Sequence, residues 1–200
     1  MAPSQIPYRE IRAHYDDATI SVYQAYSDTI GKAAIAAQRL NASPEFKLGR
    51  MTWIKPSWCW MMYRCGYSCK DDRQTCVLAI KMKHEGLLKI LENAKLSHGD
   101  DKNKDAKVVV QWDPERSPNM AKLSYRSIQI GIPPEMTKTW IDEWIVGIED
   151  VTETAKKLKA ELDENKDMTV GKLGEKGLLP EERPYEVPEH IRKVLQMDEA

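Results

Sequence analysis

The 200-residue sequence lacks the features that mark several large classes of protein. No apolar run approaches the roughly 20 residues that a membrane-spanning helix needs. The first residues, MAPSQIPYREIR, contain no apolar region of the kind found in signal peptides, so we expect an intracellular, cytoplasmic protein. P-loop, GxGxxG and HExxH motifs are also absent, and we therefore expect no ATP, dinucleotide, metal or other cofactor.

The cysteines lack the CxxC spacing of zinc and redox motifs. They follow the pattern C-x5-C-x3-C-x6-C, at Cys59, Cys65, Cys69 and Cys76. In a reducing compartment such residues are free thiols as a rule, and a disulfide framework is the less favoured alternative.

Positive charge and aromatic residues are concentrated in one part of the chain. The formal net charge is −1, but residues 47–83 contain eight Lys or Arg and two Asp, a local charge of +6. The aromatic residues of this segment are Trp53, Trp58, Trp60, Tyr63 and Tyr67. Cations contact phosphates and rings stack on bases, so the composition is typical of a nucleic-acid contact. A basic surface that only keeps an apolar region soluble is the alternative.

Hydrophobic periodicity predicts a chain of short strands and helices. Strands are expected at 19–26, 50–54, 75–83, 108–112, 123–132 and 143–151. Helices are expected from Ser27 or Asp28 to residue 40, and over 57–67, 85–96 and 152–165, with a polar loop at 97–107.

The alternation of these elements favours an α/β or α+β fold with a mixed sheet of five or six strands flanked by helices. Residues 1–165 would form a single catalytic or binding domain. Residues 166–200, which are polar and contain several Gly and Pro, would be a C-terminal extension that ends in a short helix, PEHIRKVLQM.

The stretch KPSWCWMMYRCGY (55–67) has two different faces when it is placed on a helix. One face has the apolar spacing that packs on a sheet, and it consists of Trp58, Met61, Met62 and Cys65. The opposite face has the same spacing and consists of Trp60, Tyr63, Arg64 and Tyr67. Large rings beside a guanidinium are unusual on a fully solvated face, so we predict that this second face lines a binding site. Coverage of that face by the C-terminal segment is the alternative.

Polar residues also occur within or directly after predicted strands. Gln24 and Gln129 lie on strand faces, where a buried amide needs hydrogen-bond partners. Asp113 and Glu115 follow a strand end, where ligands commonly bind, although Asp113 before a proline is also typical of a turn. The further candidates for substrate contact are Tyr15, Asp16, Tyr26, Trp53, Trp112, Arg116 and Arg126.

Ser57 is the best candidate for a nucleophile if the chemistry is covalent. It starts the predicted helix, where the macrodipole favours developing negative charge, and it lies close to Lys55. A simple N-cap is the other interpretation.

Five motifs, in order along residues 8–152, resemble a family of bacteria and fungi described as a domain of unknown function. The motifs are REIRAHYDDATISVYQAYS, RMTWIKPSWCWMMYR, VVVQWDPER, YRSIQIGI and WIVGIEDVT. They are similar to those of fungal arginine-containing cyclodipeptide synthases, which take aminoacyl-tRNAs and release a cyclic dipeptide that contains arginine. Cys59 and Cys65 depart from the aliphatic residue and the serine expected there, which argues against either as an essential nucleophile.

The resemblance implies a synthase that uses arginyl-tRNA and a second aminoacyl-tRNA to make a diketopiperazine. An aminoacyl ester is already activated, which agrees with the missing nucleotide motifs. Carboxylates would bind the arginine side chain, with Asp113 and Glu115 as the first choice and Asp16 as the second. The basic, aromatic segment 47–83 would receive the acceptor end of the tRNA.

Two other functions are compatible with the sequence. The strand and helix around VYQAYS resemble the first unit of ADP-ribosyltransferases, but Gln24 replaces the usual His and no partner glutamate motif follows. A non-catalytic RNA-binding module is the second alternative.

Overall fold

The computed structural model describes residues 6–97 and 107–197, which form nine strands and seven α-helices. The strands are β1 (Arg12–Ala13), β2 (Thr19–Tyr26), β3 (Thr52–Ile54), β4 (Cys76–Lys83), β5 (Ala94–Leu96), β6 (Val108–Arg116), β7 (Lys122–Ile132), β8 (Ile145–Asp150) and β9 (Arg183–Pro184). The helices are α1 (Asp28–Ala37), α2 (Trp58–Cys65), α3 (His84–Glu92), α4 (Pro134–Thr139), α5 (Thr152–Glu164), α6 (Val170–Glu175) and α7 (Glu189–Val194). A π-helical turn (Trp140–Trp144) continues α4. Within the described ranges, no helix combines the length and the hydropathy that a membrane crossing requires.

The strands form three sheets. Strands β2, β4 and β8 form an antiparallel sheet in the order β2-β4-β8, and a four-stranded mixed sheet has the order β3-β7-β6-β5, with β5 parallel to β6. Strands β1 and β9 form a separate antiparallel pair. The predicted α+β class with a mixed sheet is confirmed, but the strands are shared among three sheets instead of forming one sheet of five or six.

The three-stranded sheet is buried on both faces. Alternate residues of β2 and β4 point in opposite directions, so each strand contributes to two cores. The first core contains Ile20 and Ile80 and lies against the four-stranded sheet, α3 and the C-terminal segment. The second core contains Tyr23 and Val77 and lies against α2, α5 and α6. Because both faces are covered, the sequence of β4 is apolar almost throughout.

Helix α2 forms where the sequence predicts it, because the sequence has a capping residue at each of its ends. The Ser57 hydroxyl caps the first turn by accepting a hydrogen bond from the Trp60 N–H at 3.1 Å. Gly66, with φ 57°, ends the helix in the left-handed conformation. The apolar face predicted to pack on a sheet is confirmed, since its four residues are no more than 2% exposed: Trp58, Met61, Met62 and Cys65.

Some predicted boundaries are wrong. The helix expected over 85–96 ends at Glu92, because the buried Ala94 begins strand β5 and pairs with Val108 of β6. The strand expected over 108–112 continues to Arg116. Residues 98–106 of the predicted polar loop lie outside the described residues.

The segment beyond residue 165 contributes to both cores. Leu173 and Leu178 are buried in the second core, and Ile191 and Leu195 are buried in the first. The expected short helix near the end of the chain is α7. The division of the chain into a domain (1–165) and an extension stays a prediction, although the two parts share their apolar contacts.

Helix α3 packs against the π-helical turn so closely that Gly86→Ala should destabilise the protein. A Cβ at Gly86 would lie 2.5 Å from Cγ of Trp144, whose side chain is 6% exposed. Helix propensity alone favours alanine by about 1 kcal/mol, but the clash should outweigh it and lower the free energy of unfolding by about 1–3 kcal/mol. Urea denaturation measures the change.

Gly171→Ala is the matched control, because no atom lies within 4 Å of the new Cβ in α6. It should leave stability unchanged or raise it slightly. Equal stability of Gly86→Ala and the wild type would contradict the packing described here.

Candidate functional site

A cavity of about 670 Å³ lies between the end of β2, the loop that precedes β3, and α2. This volume is within the range of small-ligand sites, about 300–1,000 Å³. Among the described residues that line it, Glu45 is the single acid, and the cationic residues are Lys47, Arg50, Lys55, Arg64 and Arg73. Five cations around one concave surface create a positive potential that suits an anionic ligand.

Lys55 is the buried member of this cationic group. It is 7% exposed, and its Nζ donates a hydrogen bond to the Trp53 carbonyl at 3.1 Å. The Trp60 ring centre lies 5.7 Å from the same nitrogen. Burial lowers the pKa of Lys55 to about 7, and the charge of Arg64 acts in the same direction. An amine of this kind is partly neutral at physiological pH and can accept a proton.

A closed polar network lies beside Lys55. The Gln24 amide donates to the Thr52 hydroxyl at 2.7 Å and to the Trp53 carbonyl at 2.9 Å. The Tyr26 hydroxyl donates to the Gln24 amide oxygen at 3.0 Å. Burial raises the pKa of Tyr26 to about 12, so its phenol stays protonated. The network explains how a glutamine is accommodated on a buried strand face, and it joins β2 to β3 below the cavity.

Aromatic side chains form part of the cavity wall. The rings of Tyr26 and Phe46 are 5.9 Å apart and tilted by 54°. Trp53 stands opposite Gly131 in the β3–β7 pair, and a Cβ at Gly131 would approach the indole ring to 3.1 Å. The glycine therefore leaves the room that the Trp53 ring needs against the sheet.

The second face of α2, which the sequence predicts to line a binding site, is partly buried. Trp60 and Tyr67 are only 6% and 5% exposed, whereas Tyr63 and Arg64 are exposed. The end of β6 and the loop after it cover this side. The Tyr67 hydroxyl donates to the Pro118 carbonyl, and the Arg116 guanidinium lies 3.7 Å from the centre of the Tyr63 ring. Of the four predicted residues, only Arg64 lines the cavity.

Two carboxyl groups contact the start of α2, one at Ser57 and the other at Trp58. The Ser57 hydroxyl donates to Oε1 of Glu115 at 2.9 Å, and Glu115 also accepts from the Arg116 N–H at 2.7 Å. Oε1 of Glu182 accepts from the Trp58 N–H at 2.6 Å. Burial raises the pKa of Glu115, and it raises the pKa of Glu182 to about 8. Ser57 is 1% exposed and does not line the cavity, so its position is that of an N-cap, and the nucleophile stays a hypothesis.

The other predicted carboxylates are held within the fold. The Asp113 carboxylate accepts a hydrogen bond from the Gln129 amide across the β6–β7 pair. Oδ1 of Asp16 accepts from the Ala18 N–H at 2.9 Å and the Thr19 N–H at 2.7 Å, and these two bonds lower its pKa. Neither carboxylate lines the cavity.

The remaining candidates join the terminal segments to the sheets. The Trp112 indole donates to the Leu195 carbonyl at 2.9 Å, and the Tyr15 hydroxyl donates to the Pro184 carbonyl at 2.7 Å. Arg126 donates through Nε to the Tyr8 hydroxyl at 2.8 Å. These contacts give the side chains structural partners outside the cavity.

The structure thus brings five predicted residues together in the cavity, namely Gln24, Tyr26, Trp53, Lys55 and Arg64. Sequence reasoning missed Glu45, Phe46, Lys47, Arg50 and Arg73, which come mainly from the loop before β3 and from the turn before β4. The local charge of +6 indicated this region, but loops have no periodicity that selects single residues. No group of three His, Cys, Asp or Glu side chains in the described ranges is placed to hold a metal ion.

Comparison with known families adds one finding to this geometry. Residues 10–185 match the family described as Domain of unknown function (DUF4291). The chain belongs to this family. The match begins just before β1 and ends just after β9, so it includes the cavity, the carboxyl pair and most of the segment beyond residue 165. No match was found among curated proteins.

Glu182 should make the stability of the protein depend on pH. Its pKa is raised from 4.5 to about 8, so the folded protein keeps a proton that the unfolded chain has already released. This contribution to stability is complete below pH 4.5 and is lost as the pH rises through about 8. Glu182→Gln keeps an oxygen for the Trp58 N–H but cannot ionise, so its stability should fall less between pH 5 and pH 8.

Urea denaturation at pH 5, 6, 7 and 8 measures this difference, with the exposed Glu186→Gln as the matched control. Parallel pH profiles for the wild type and Glu182→Gln would show that the carboxyl is not buried in its neutral form.

Proposed function

We propose that this protein uses aminoacyl-tRNAs to synthesise a cyclic dipeptide that contains arginine, and that the cavity holds the aminoacylated acceptor end. The observation that carries the proposal is the placement of Lys55, a buried amine with a pKa of about 7, among four other cationic side chains in one cavity. Such a site combines affinity for phosphate with a group that can accept a proton.

The family motifs and the cavity involve the same residues. Eleven of the 17 residues that line the cavity come from the motifs REIRAHYDDATISVYQAYS and RMTWIKPSWCWMMYR. These are two of the five motifs on which the resemblance to arginine-containing cyclodipeptide synthases rests. The overlap supports the assignment of the cavity to the reaction of those enzymes.

The walls of the cavity suit the single-stranded end of a tRNA. Lys47, Arg50 and Arg73 are not buried and can contact phosphates at its mouth. The ring of Trp53 offers an apolar face to an unpaired base, and base stacking of this kind contributes about 1–3 kcal/mol per base. Mixed phosphate and ring contacts favour an RNA end over a free amino acid.

The reaction needs positioning and one proton acceptor. The α-amine of one aminoacyl group attacks the ester carbonyl of the other, so that a C–N bond forms and the ester C–O bond breaks. Lys55 removes the proton from the attacking amine, and that proton passes to the ribose oxygen that leaves. The same two bond changes, within the resulting dipeptidyl ester, close the ring and release the second tRNA. No oxidant and no nucleotide is consumed.

Product formation from purified arginyl-tRNA, with and without ribonuclease, tests the proposal. Mass spectrometry should detect an arginine-containing diketopiperazine when a second aminoacyl-tRNA is present, and ribonuclease should abolish it. Synthesis from free arginine and ATP that resists ribonuclease would contradict the tRNA requirement. Consumption of NAD would favour a transferase, and RNA binding without any product would favour a binding module.

Lys55→Met should abolish catalysis without weakening the fold. General-base catalysis contributes about 10²–10⁴-fold to a rate, so product formation should fall by at least about 100-fold. The free energy of unfolding should stay the same or rise, because methionine fills the space without a buried ionisable group. The wild-type rate should increase as the pH rises through about 7, where Lys55 loses its proton.

Lys55→Arg is the control that separates a base from a phosphate contact, since arginine keeps the charge and cannot release its proton in this pH range. It should be as inactive as Lys55→Met. Wild-type turnover by Lys55→Arg would assign the residue to phosphate binding only.

A further inference from the structure

We propose that Glu45, with the rings of Phe46 and Tyr26 beside it, forms the subsite that receives a guanidinium group, and that this subsite selects arginine. The inference deepens the proposed function and rests on it for the identity of the substrate. It replaces Asp113, Glu115 and Asp16, the carboxylates that the sequence suggested for this role.

Glu45, the single acid among the described residues that line the cavity, has an unpaired carboxylate. Its side chain is exposed and has no ion-pair or hydrogen-bond partner in the described part of the chain, although five cationic residues line the same cavity. One of them, Arg73, instead contacts Asp71 at 3.3 Å. The Glu45 carboxylate is therefore available to a cation that a ligand brings.

The backbone around Glu45 is held in place before any ligand binds. Ser43, which is 4% exposed, accepts a hydrogen bond from the Glu45 N–H through its hydroxyl at 3.2 Å. The Ser43 carbonyl accepts another from the Phe46 N–H at 3.1 Å. This turn fixes the backbone from which the Glu45 and Phe46 side chains extend, so the backbone here does not have to be ordered on binding.

The neighbouring groups match the chemistry of a guanidinium. A planar cation stacks on aromatic faces and binds carboxylate oxygens through two N–H groups, which a lysine ammonium does less well. Phe46 and Tyr26 supply the rings, 5.9 Å apart. The Ser27 hydroxyl, which lines the cavity too, has no hydrogen-bond partner in the described ranges and provides a further oxygen.

The three carboxylates suggested by the sequence already accept hydrogen bonds within the fold, away from the cavity. Asp113 is bonded to Gln129, Glu115 is bonded to Ser57, and Asp16 holds the turn before β2. None of the three lines the cavity. Glu45 remains as the acid that a bound arginyl group can reach.

The test compares the binding of two RNA acceptor-stem helices that differ only in the amino acid attached to the 3′ end. One carries arginine and the other carries citrulline, both through a 3′-amide that cannot be hydrolysed. Citrulline keeps the shape of arginine but has no charge.

The wild type should prefer the arginyl RNA by at least about tenfold, which is the effect of one charge-assisted hydrogen bond. Glu45→Gln should lose the preference, and Glu92→Gln, exposed on α3 and outside the cavity, should keep it.

The methyl esters of arginine and citrulline, measured by calorimetry with the same proteins, separate this inference from the proposed function. Preference for the arginine ester that disappears in Glu45→Gln, without product from arginyl-tRNA, would retain the subsite and contradict the synthase. Equal preference in the wild type and Glu45→Gln, or no preference in the wild type for either kind of probe, would overturn the subsite.

Discussion

The fold and the cavity meet at one backbone hydrogen bond, from the Tyr23 N–H to the Lys55 carbonyl at 2.7 Å, which the Gln24 network reinforces. It attaches the start of α2 to the edge of the three-stranded sheet and so connects that sheet with β3 and the four-stranded sheet. Tyr23 then points into the second core, and the Lys55 side chain points into the cavity. A contact needed for stability therefore also sets the position of the amine proposed to do the chemistry.

The first turn of α2 separates two environments. Burial shifts the pKa of a side chain downward in one of them and upward in the other. On one side burial lowers the pKa of Lys55 to about 7, and on the other it raises the pKa of Glu182 to about 8. An amine and a carboxyl group that are both partly neutral near pH 7 avoid much of the cost of burying charge. The interior around α2 thus holds less charge than the sequence of this region suggests.

The sequence predicts the elements well where periodicity is strong. Strand β2 and the apolar face of α2 follow directly from residue spacing, and the α+β class follows from their order. The end of α3 was missed because the choice between helix and strand at Ala94 depends on pairing with β6, a contact distant in the sequence. The partition into three sheets has the same cause, since hydrogen bonding between strands leaves no trace in local patterns.

Only part of the candidate site could be predicted from the sequence, and the reason is related. Arg64 stands out because it interrupts an aromatic helix, Lys55 because it lies just before that helix, and Gln24 because it lies on an apolar strand. Trp60 and Tyr67 were expected at the surface, but the loop at Pro118 covers them, and no local pattern shows where that loop folds. Glu45 lies in a turn, where an acid carries no positional signal at all.

The pairing of β1 with β9 has a consequence for how the protein reaches its native state. Arg12 pairs with Pro184, which lies near the other end of the described chain. Helix α7, from the same late segment, packs on the first core. Contacts so distant in sequence raise the contact order and slow folding, because a long loop must close before they form. On the ribosome, β2 and β4 emerge before α5, α6 and α7, the helices that complete the cover of both faces of their sheet. The nascent chain therefore leaves part of both apolar faces exposed until these later helices are made, and we expect chaperone binding or aggregation to compete with folding at that stage.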